Sequence, residues 1–284
     1  MSIDVSRKEP HQSGRRGIQR LLLLLGVLGL LGPAGARADA PSPSADARLT
    51  REQVLHAIAR AGNAPADLSG RNLSKLDLSG VDFKGANLTA SVMNGSNLSG
   101  ANLSRCNLTV SFAEDANLTN ADLREAVMFS MQLRSAVLKG ANLSGARLIG
   151  DLTRANLEGA DLTRAQAGAD MRNQSMGLMR ANLISATLKG ADLSGADFSK
   201  ADLSFSDLSG ARLKGTNLFQ ADVSAVDFTG ADLGGANLSD SKMIDTNFKG
   251  ANLTGADFTG ANMRGVKGLD AATLEGVRGL SRGR

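Results

Sequence analysis

Side chains that could serve as base, nucleophile or metal ligand are few in this sequence, and their spacing argues against chemistry. Beyond residue 38 there is one histidine, His56, and one cysteine, Cys106. A Ser-His-Asp or Cys-His arrangement would have to be assembled around His56 by residues distant in sequence. His56 sits beside Leu55 and Ile58 in a stretch of helical periodicity, which reads as the edge of a packed face. Cys106 stands where the surrounding pattern places Ala, and reads as a buried free thiol that offers no intramolecular disulfide. Zinc-ligand spacing is absent, and the glycines close short segments instead of opening helices, so no phosphate loop is formed. Asp and Asn are abundant. A calcium site needs oxygens converging from one irregular loop, whereas here they recur at a fixed spacing of five, which points to a structural use. The expectation is no catalytic residue, no metal, no cofactor and no enzymatic activity.

The element that must hold these residues is a repeat. From Ala66 the chain runs ADLSG, RNLSK, LDLSG, VDFKG, ANLTA, and seventeen consecutive pentads keep one frame to Gly150. Leu, Phe or Met stands at the centre, with Ala113 the weak exception. Asp or Asn usually precedes the centre, a small residue precedes that, and Gly often closes the unit. The frame slips by one residue at 146–151, where Gly150-Asp151-Leu152 opens a new register. It is lost over 165–180, then regained at Ala181 for seventeen more pentads to Gly265. A period of five fits neither a helix at 3.6 nor a flat strand at 2.0. It requires a chain that turns once per pentad, with the centre and the small residue inward. Four pentads then close a coil, so residues 20 apart should stack, as for Phe228 with Phe248 and for Val223, Met243 and Met263.

The A(D/N)LxG pattern resembles the pentapeptide-repeat family. The resemblance implies an all-β solenoid, a right-handed quadrilateral β-helix of about ten coils, roughly 48 Å long at ~4.8 Å per coil. It also implies that the Asp and Asn side chains lie on outer faces in turn and ladder hydrogen bonds.

Five regions are expected along the chain, the repeat among them. Residues 1–38 read as an export signal: basic residues to Arg20, the apolar run 21–32, and a small-residue cleavage site at Ala38 and Asp39. The general secretory route is favoured over the twin-arginine route, because Gln19 interrupts the pattern after Arg15-Arg16. The apolar run is too short to span a bilayer comfortably, so no stable membrane span is expected after signal removal, and the protein is expected in the periplasm or secreted. Residues 39–48 read as a flexible linker. Residues 49–63 read as an N-terminal capping α-helix, with Thr50 and Gln53 as a capping box and Val54, Leu55, Ile58 and Ala61 as its apolar stripe. The β-helix occupies 66–265, with the irregular break at 165–180. Residues 266–284 read as a C-terminal cap and tail, with Asp270 as N-cap and Leu269 and Leu274 as a hydrophobic staple.

Charge narrows the partners. The whole chain has a net charge of +4 and a pI near 9.5. Residues 1–38 hold six of the 32 basic and two of the 28 acidic residues, leaving 26 of each, so no global field remains to attract nucleic acid. What stands out is apolar residues at outward positions. Val92 and Phe112 precede their centres and lie 20 apart, with Val110 and Phe129 close by. In the resemblance Ile184, Phe205 and Phe219 also point outward. Met171, Met176 and Met179 cluster in the break. Two functions follow. The first is a non-catalytic exported scaffold that binds a protein or cell-envelope component through Val92, Val110, Phe112 and Phe129 or the Met-rich break, as a monomer or an end-to-end dimer. The second, carried by the family resemblance, is a DNA-mimicking modulator of DNA gyrase or topoisomerase. It is disfavoured by the zero net charge beyond residue 38 and by the export signal.

Overall fold

The computed structural model describes residues 47–169 and 180–280. Ala38, Asp39, Met171, Met176 and Met179 lie outside the described residues.

The chain folds as an all-β β-helix, and one pentad explains why. In Ala101–Arg105 all five backbone N–H groups are satisfied. Ala101 donates to Leu98 O at 3.0 Å across the turn. Asn102 donates to Val81 O at 2.9 Å in the coil before, while Leu103 and Arg105 donate to Asp122 O and Arg124 O at 2.7 and 2.8 Å in the coil after. The fifth, Ser104 N–H, donates at 3.1 Å to the side chain of Asn102. An Asp or Asn before the centre is therefore what completes the hydrogen bonding of its own pentad. The third turn residue takes a left-handed φ, +64° at Gly100 and +59° at Arg105, the region Gly occupies without a Cβ penalty.

Parallel bridges join residues 20 apart, as in Asp67–Asn87–Asn107, Asn72–Val92–Phe112, Asp77–Asn97–Asn117 and Asp82–Asn102–Asp122. Each pentad so stacks on the fourth one along, and the centres form one continuous core. Phe228 and Phe248 stack with ring centroids 5.2 Å apart and planes 5° from parallel, as their spacing of 20 requires. The frame slip appears as a register change between strands β1 (Val127–Gln132) and β2 (Arg147–Asp151): Phe129 pairs with Ile149 but Met131 with Gly150. Helix α1 (Arg51–Ala61) opens on the expected capping box, with Thr50 N–H donating to Gln53 Oε1 at 2.8 Å and Gln53 N–H to Thr50 Oγ1 at 3.3 Å. Among the described residues no helix is long and apolar enough to cross a membrane.

Several details depart from expectation. Leu55 is 42% exposed, because 100° per residue places Val54, Ala57, Ile58 and Ala61 on the core face and turns Leu55 away. Leu49 is already buried in the core and donates to Asn72 O at 2.9 Å, and Arg48 bridges Asn72, so pairing begins before the helix. The coil continues into the expected break, where Ala165 and Ala167 are buried and Gln166 bridges Arg147 and Asp197. At the other end Asp270 is not an N-cap. A short 3-10 helix, Leu269–Ala271, is preceded by Gly268 without a side-chain cap, Leu274 is exposed, and the ladder runs on to Asn252–Thr273 and Asp257–Arg278. These last pairs are 21 residues apart, so one extra residue is taken up at the 3-10 helix while the backbone goes on pairing.

Candidate functional site

The hydrogen-bond rule of the pentad makes its violations visible. Val92 and Phe112 fill the position before the centre and stack in the column Asn72–Val92–Phe112–Gln132. Neither can accept the amide two residues on. Asn94 N–H finds no acceptor among the described residues, and Glu114 N–H donates instead to Asn94 Oδ1, one coil back, at 2.9 Å. Val110 sits at the left-handed turn position with φ +52°, a conformation that a β-branched residue rarely adopts. Its N–H donates to Phe129 O at 2.8 Å, which sets Val110 and Phe129 on successive turns. The Arg147 guanidinium lies 5.1 Å from the Phe129 ring centroid. The structure thus brings the four candidate apolar residues together in adjoining coils. Val110 and Phe112 are each 41% exposed, while Val92 and Phe129 are half-buried. Val127, next to Phe129, extends the patch, and Val137 breaks the same rule in a neighbouring column. Both carried the signal that marked Val92, an apolar residue directly before the centre.

One coil beyond Phe129 the chain is a residue short, since Arg147 bridges Gln166 at a separation of 19. A cleft of about 380 Å³ lies there, beside Ser130, Ile149, Asp151 and Arg180. Arg180 bonds Asp202 at 3.2 Å. Burial pushes the Asp151 carboxyl up, but hydrogen bonds from Thr153 and Arg134 outweigh it and hold the group below its ordinary range.

His56 is exposed on α1, and the described residues contain no group of three or more His, Cys, Asp or Glu placed to hold a metal ion. The Cys106 thiol is buried, donates to Phe83 O at 3.1 Å, and is pushed up to about 12 by that burial, so it is not a nucleophile at neutral pH. The Asp and Asn columns are occupied with structure. Asn87, Asn97 and Asn102 donate to Asp67, Asp77 and Asp82 at 3.1, 3.0 and 2.8 Å, and Arg212 and Lys242 pair with Asp192 and Asp222 at 3.0 and 2.9 Å.

A family model for pentapeptide repeats matches in eight copies, over residues 72–109, 101–136, 114–150, 132–173, 178–215, 196–235 and 231–267. The chain belongs to the pentapeptide-repeat family. Among solved pentapeptide-repeat proteins, it is similar to HetL from Nostoc sp. strain PCC 7120, which is involved in heterocyst differentiation regulation. The identity is 31%, over 81% of this chain and 98% of HetL, with a TM-score of 0.39. It is also similar to QnrB1, a plasmid-mediated fluoroquinolone resistance protein, at 18% identity over 75% of this chain and 88% of QnrB1, with a TM-score of 0.39. A pentapeptide repeat protein of the Arabidopsis thaliana thylakoid lumen is 38% identical over 40% of this chain and 68% of its own, with a TM-score of 0.26. No curated protein matches the chain. As a pentapeptide-repeat protein it owes its Asp and Asn columns to the fold, which leaves the apolar departures from the repeat as the informative residues.

Proposed function

We propose that the protein is an exported, non-catalytic scaffold that binds a protein or cell-envelope component through the face around Phe112. In this reading the β-helix is a right-handed, four-sided rod of about ten coils, α1 caps its N-terminal end, and residues 1–38 are removed on export. One observation carries the reading. Val92 and Phe112 cannot supply the acceptor that Asp or Asn provides elsewhere: Asn94 N–H goes without one among the described residues, at a cost of about 0.5–1.5 kcal/mol, Glu114 N–H turns instead to Asn94 Oδ1 of the coil before, and Val110 adds an unfavourable backbone conformation. The repeat does not require these residues, and burial does not offset them, since Val110 and Phe112 remain 41% exposed. A rigid ladder holds them in place, so little ordering entropy is lost when a partner docks.

The test joins fractionation to capture. The purified protein should come from the periplasm or the medium and begin at Asp39 or Pro41. Cross-linking in intact cells should give an adduct with an envelope component that is lost in Phe112→Ser/Phe129→Ser. A cytoplasmic protein with an intact N-terminus removes the export reading, and an adduct unchanged in the double variant removes this face. A supercoiling assay separates the scaffold from a DNA mimic, because the scaffold leaves gyrase uninhibited.

A further inference from the structure

A second departure from the repeat lies in the later coils and is independent of the Phe112 face. Phe205 is 67% exposed and occupies the left-handed turn position, with φ +62°, where an aromatic residue is unusual. The turns above and below it stack in register. Ser185 N–H donates to Ser204 O at 2.9 Å, Phe205 N–H to Ser224 O at 2.9 Å, and Ala225 N–H to Ile244 O at 2.7 Å. Ser185, Phe205, Ala225 and Asp245 therefore stack in one column, and Ile184, Ser204, Ser224 and Ile244 in the column beside it, a ridge on which Phe205 is the exposed apolar group.

Beside the ridge, Asp207 bridges Asp227, so two carboxylates oppose each other one coil apart, about 4.8 Å in a β ladder. Directly opposed like charges are unfavourable; Asp161–Asp192 and Asp202–Asp222 are opposed in the same way, but there Asp192, Asp202 and Asp222 are paired with Arg212, Arg180 and Lys242. Neither carboxylate has an ion pair among the described residues, and neither has Asp245, which follows Ile244 on the ridge. Of the nearby cations, Arg180 pairs with Asp202 and Lys242 with Asp222, and Lys189 and Lys249, which follow Thr187 and Asn247 of the same column, form no ion pair with Asp207 or Asp227 among the described residues. An exposed aromatic flanked by uncompensated carboxylates calls for a ligand that supplies both an apolar group and positive charge. Nucleic acid and anionic lipid carry the wrong sign.

We propose that the ridge around Phe205, with Ile184 and Ile244 in the adjoining column and Asp207, Asp227 and Asp245 beside it, docks a basic polypeptide segment carrying an apolar anchor. The anchor covers Phe205, and lysine or arginine side chains neutralise the Asp207–Asp227 pair.

The experiment measures fluorescence anisotropy of a labelled short peptide that alternates lysine and leucine, titrated with the full chain, and uses a glutamate–leucine peptide as counterpart. The lysine peptide should bind about tenfold more weakly to Phe205→Ser and to Asp207→Asn/Asp227→Asn, and its affinity for the unaltered chain should fall as salt rises. Serine is compatible with the position, since Ser185 holds the same turn site at φ +56°. Phe112→Ser should bind as tightly as the unaltered chain, which separates this ridge from the face proposed above. The assignment is overturned by equal affinity in Phe205→Ser or in the double Asn variant, by absence of lysine-peptide binding, by equal binding of the glutamate peptide, or by a loss confined to Phe112→Ser.

Discussion

Val137→Asn tests the premise behind the Phe112 face, that an apolar residue before the centre is a stability cost the repeat does not need. Val137 bridges Asn117 and Asn156, and Lys139 N–H has no acceptor among the described residues. Asparagine at 137 would accept from Lys139 N–H as Asn117 Oδ1 accepts from Thr119 N–H at 3.1 Å. It would also extend the ladder in which Asn97 donates to Asp77 Oδ1 at 3.0 Å and Asn117 to Asn97 Oδ1 at 3.2 Å, by donating to Asn117 and accepting from Asn156. Three bonds in a half-exposed setting contribute about 0.5–1 kcal/mol each, the low side of the usual range. Against this stands the buried part of the Val137 side chain, which is 36% exposed as a residue. At ~1.5 kcal/mol for a fully buried valine, its loss costs about 1 kcal/mol. The balance favours Asn by about 1 kcal/mol, which for a coil of this size raises Tm by roughly 2–4 °C. Thermal melts followed by far-UV circular dichroism read the shift, and hydrogen exchange at the Lys139 amide should slow. A folded Val137→Asn chain that melts below the parent would refute the reasoning, and with it the inference that Val92 and Phe112 are retained for binding.

Three further outcomes follow from the same geometry. Asn217 donates to Asp197 Oδ1 at 3.0 Å and accepts from Asn237 at 3.1 Å, so Asn217→Asp opposes two carboxylates and removes a donor; urea unfolding should show a loss of about 1–2 kcal/mol at neutral pH that shrinks below pH ~4 as the pair protonates. Asp67, Asp77 and Asp257 accept from Ser69, Ser79 and Thr259, and Asp122 from Arg124, and each is held below its ordinary 3.8. A folded value below the unfolded one gives stability that is present above 3.8 and lost as pH falls through the folded values, so Tm should be level near neutrality and drop below pH ~4; a Tm that rises on acidification contradicts this. Finally, the Cys106 thiol, pushed up to about 12, should stay unlabelled by a disulfide reagent at pH ~8 until denaturant opens the coil; rapid labelling of the folded chain would show that the core around Phe83 is not closed.

What could be read from the sequence was set by side chains, and what escaped it was set by backbone. Leu, Phe and Met centres announced the pentad, the spacing of 20 brought Phe228 onto Phe248, and the lost residue near Gly150 was visible because Asp151-Leu152 restarted the pattern. The coil through Ala165–Ala169 was not visible. Its centre is Ala167, followed by Gly168, so the side chains signal nothing while the backbone bonds as elsewhere, with Ala167 N–H on Asp197 O at 2.7 Å. The last turns behaved alike: Thr273 and Arg278 lack the motif, yet Thr273 N–H reaches Ala251 O at 2.9 Å and Arg278 N–H reaches Ala256 O at 3.0 Å. Leu55 was misread because hydrophobicity was counted without its 100° angular place. Of the apolar patch, Val92, Phe112, Val110 and Phe129 were legible as exceptions to a rule. The reason exceptions are costly, the one amide per pentad that needs an Asx acceptor, appears only once the hydrogen bonds are followed.

A fold whose coils bond only to their neighbours makes such exceptions affordable. In a globule with one irregular core, an unsatisfied amide or a strained turn draws on the cooperative stability of the whole domain. Here the penalty at Val92, Val110 and Phe112 stays within the coils that carry it, buttressed on both sides by pentads that obey the rule. The same holds for Phe205 and the Asp207–Asp227 pair, which lie four coils further on, about 19 Å at β-ladder spacing. Binding groups can then be placed at intervals along a rigid ladder without compromise between them. In the proposed reading Phe112 and Phe205 are where that freedom is used: each breaks its pentad's preference, and each stands in solvent, where a docked partner would return the loss.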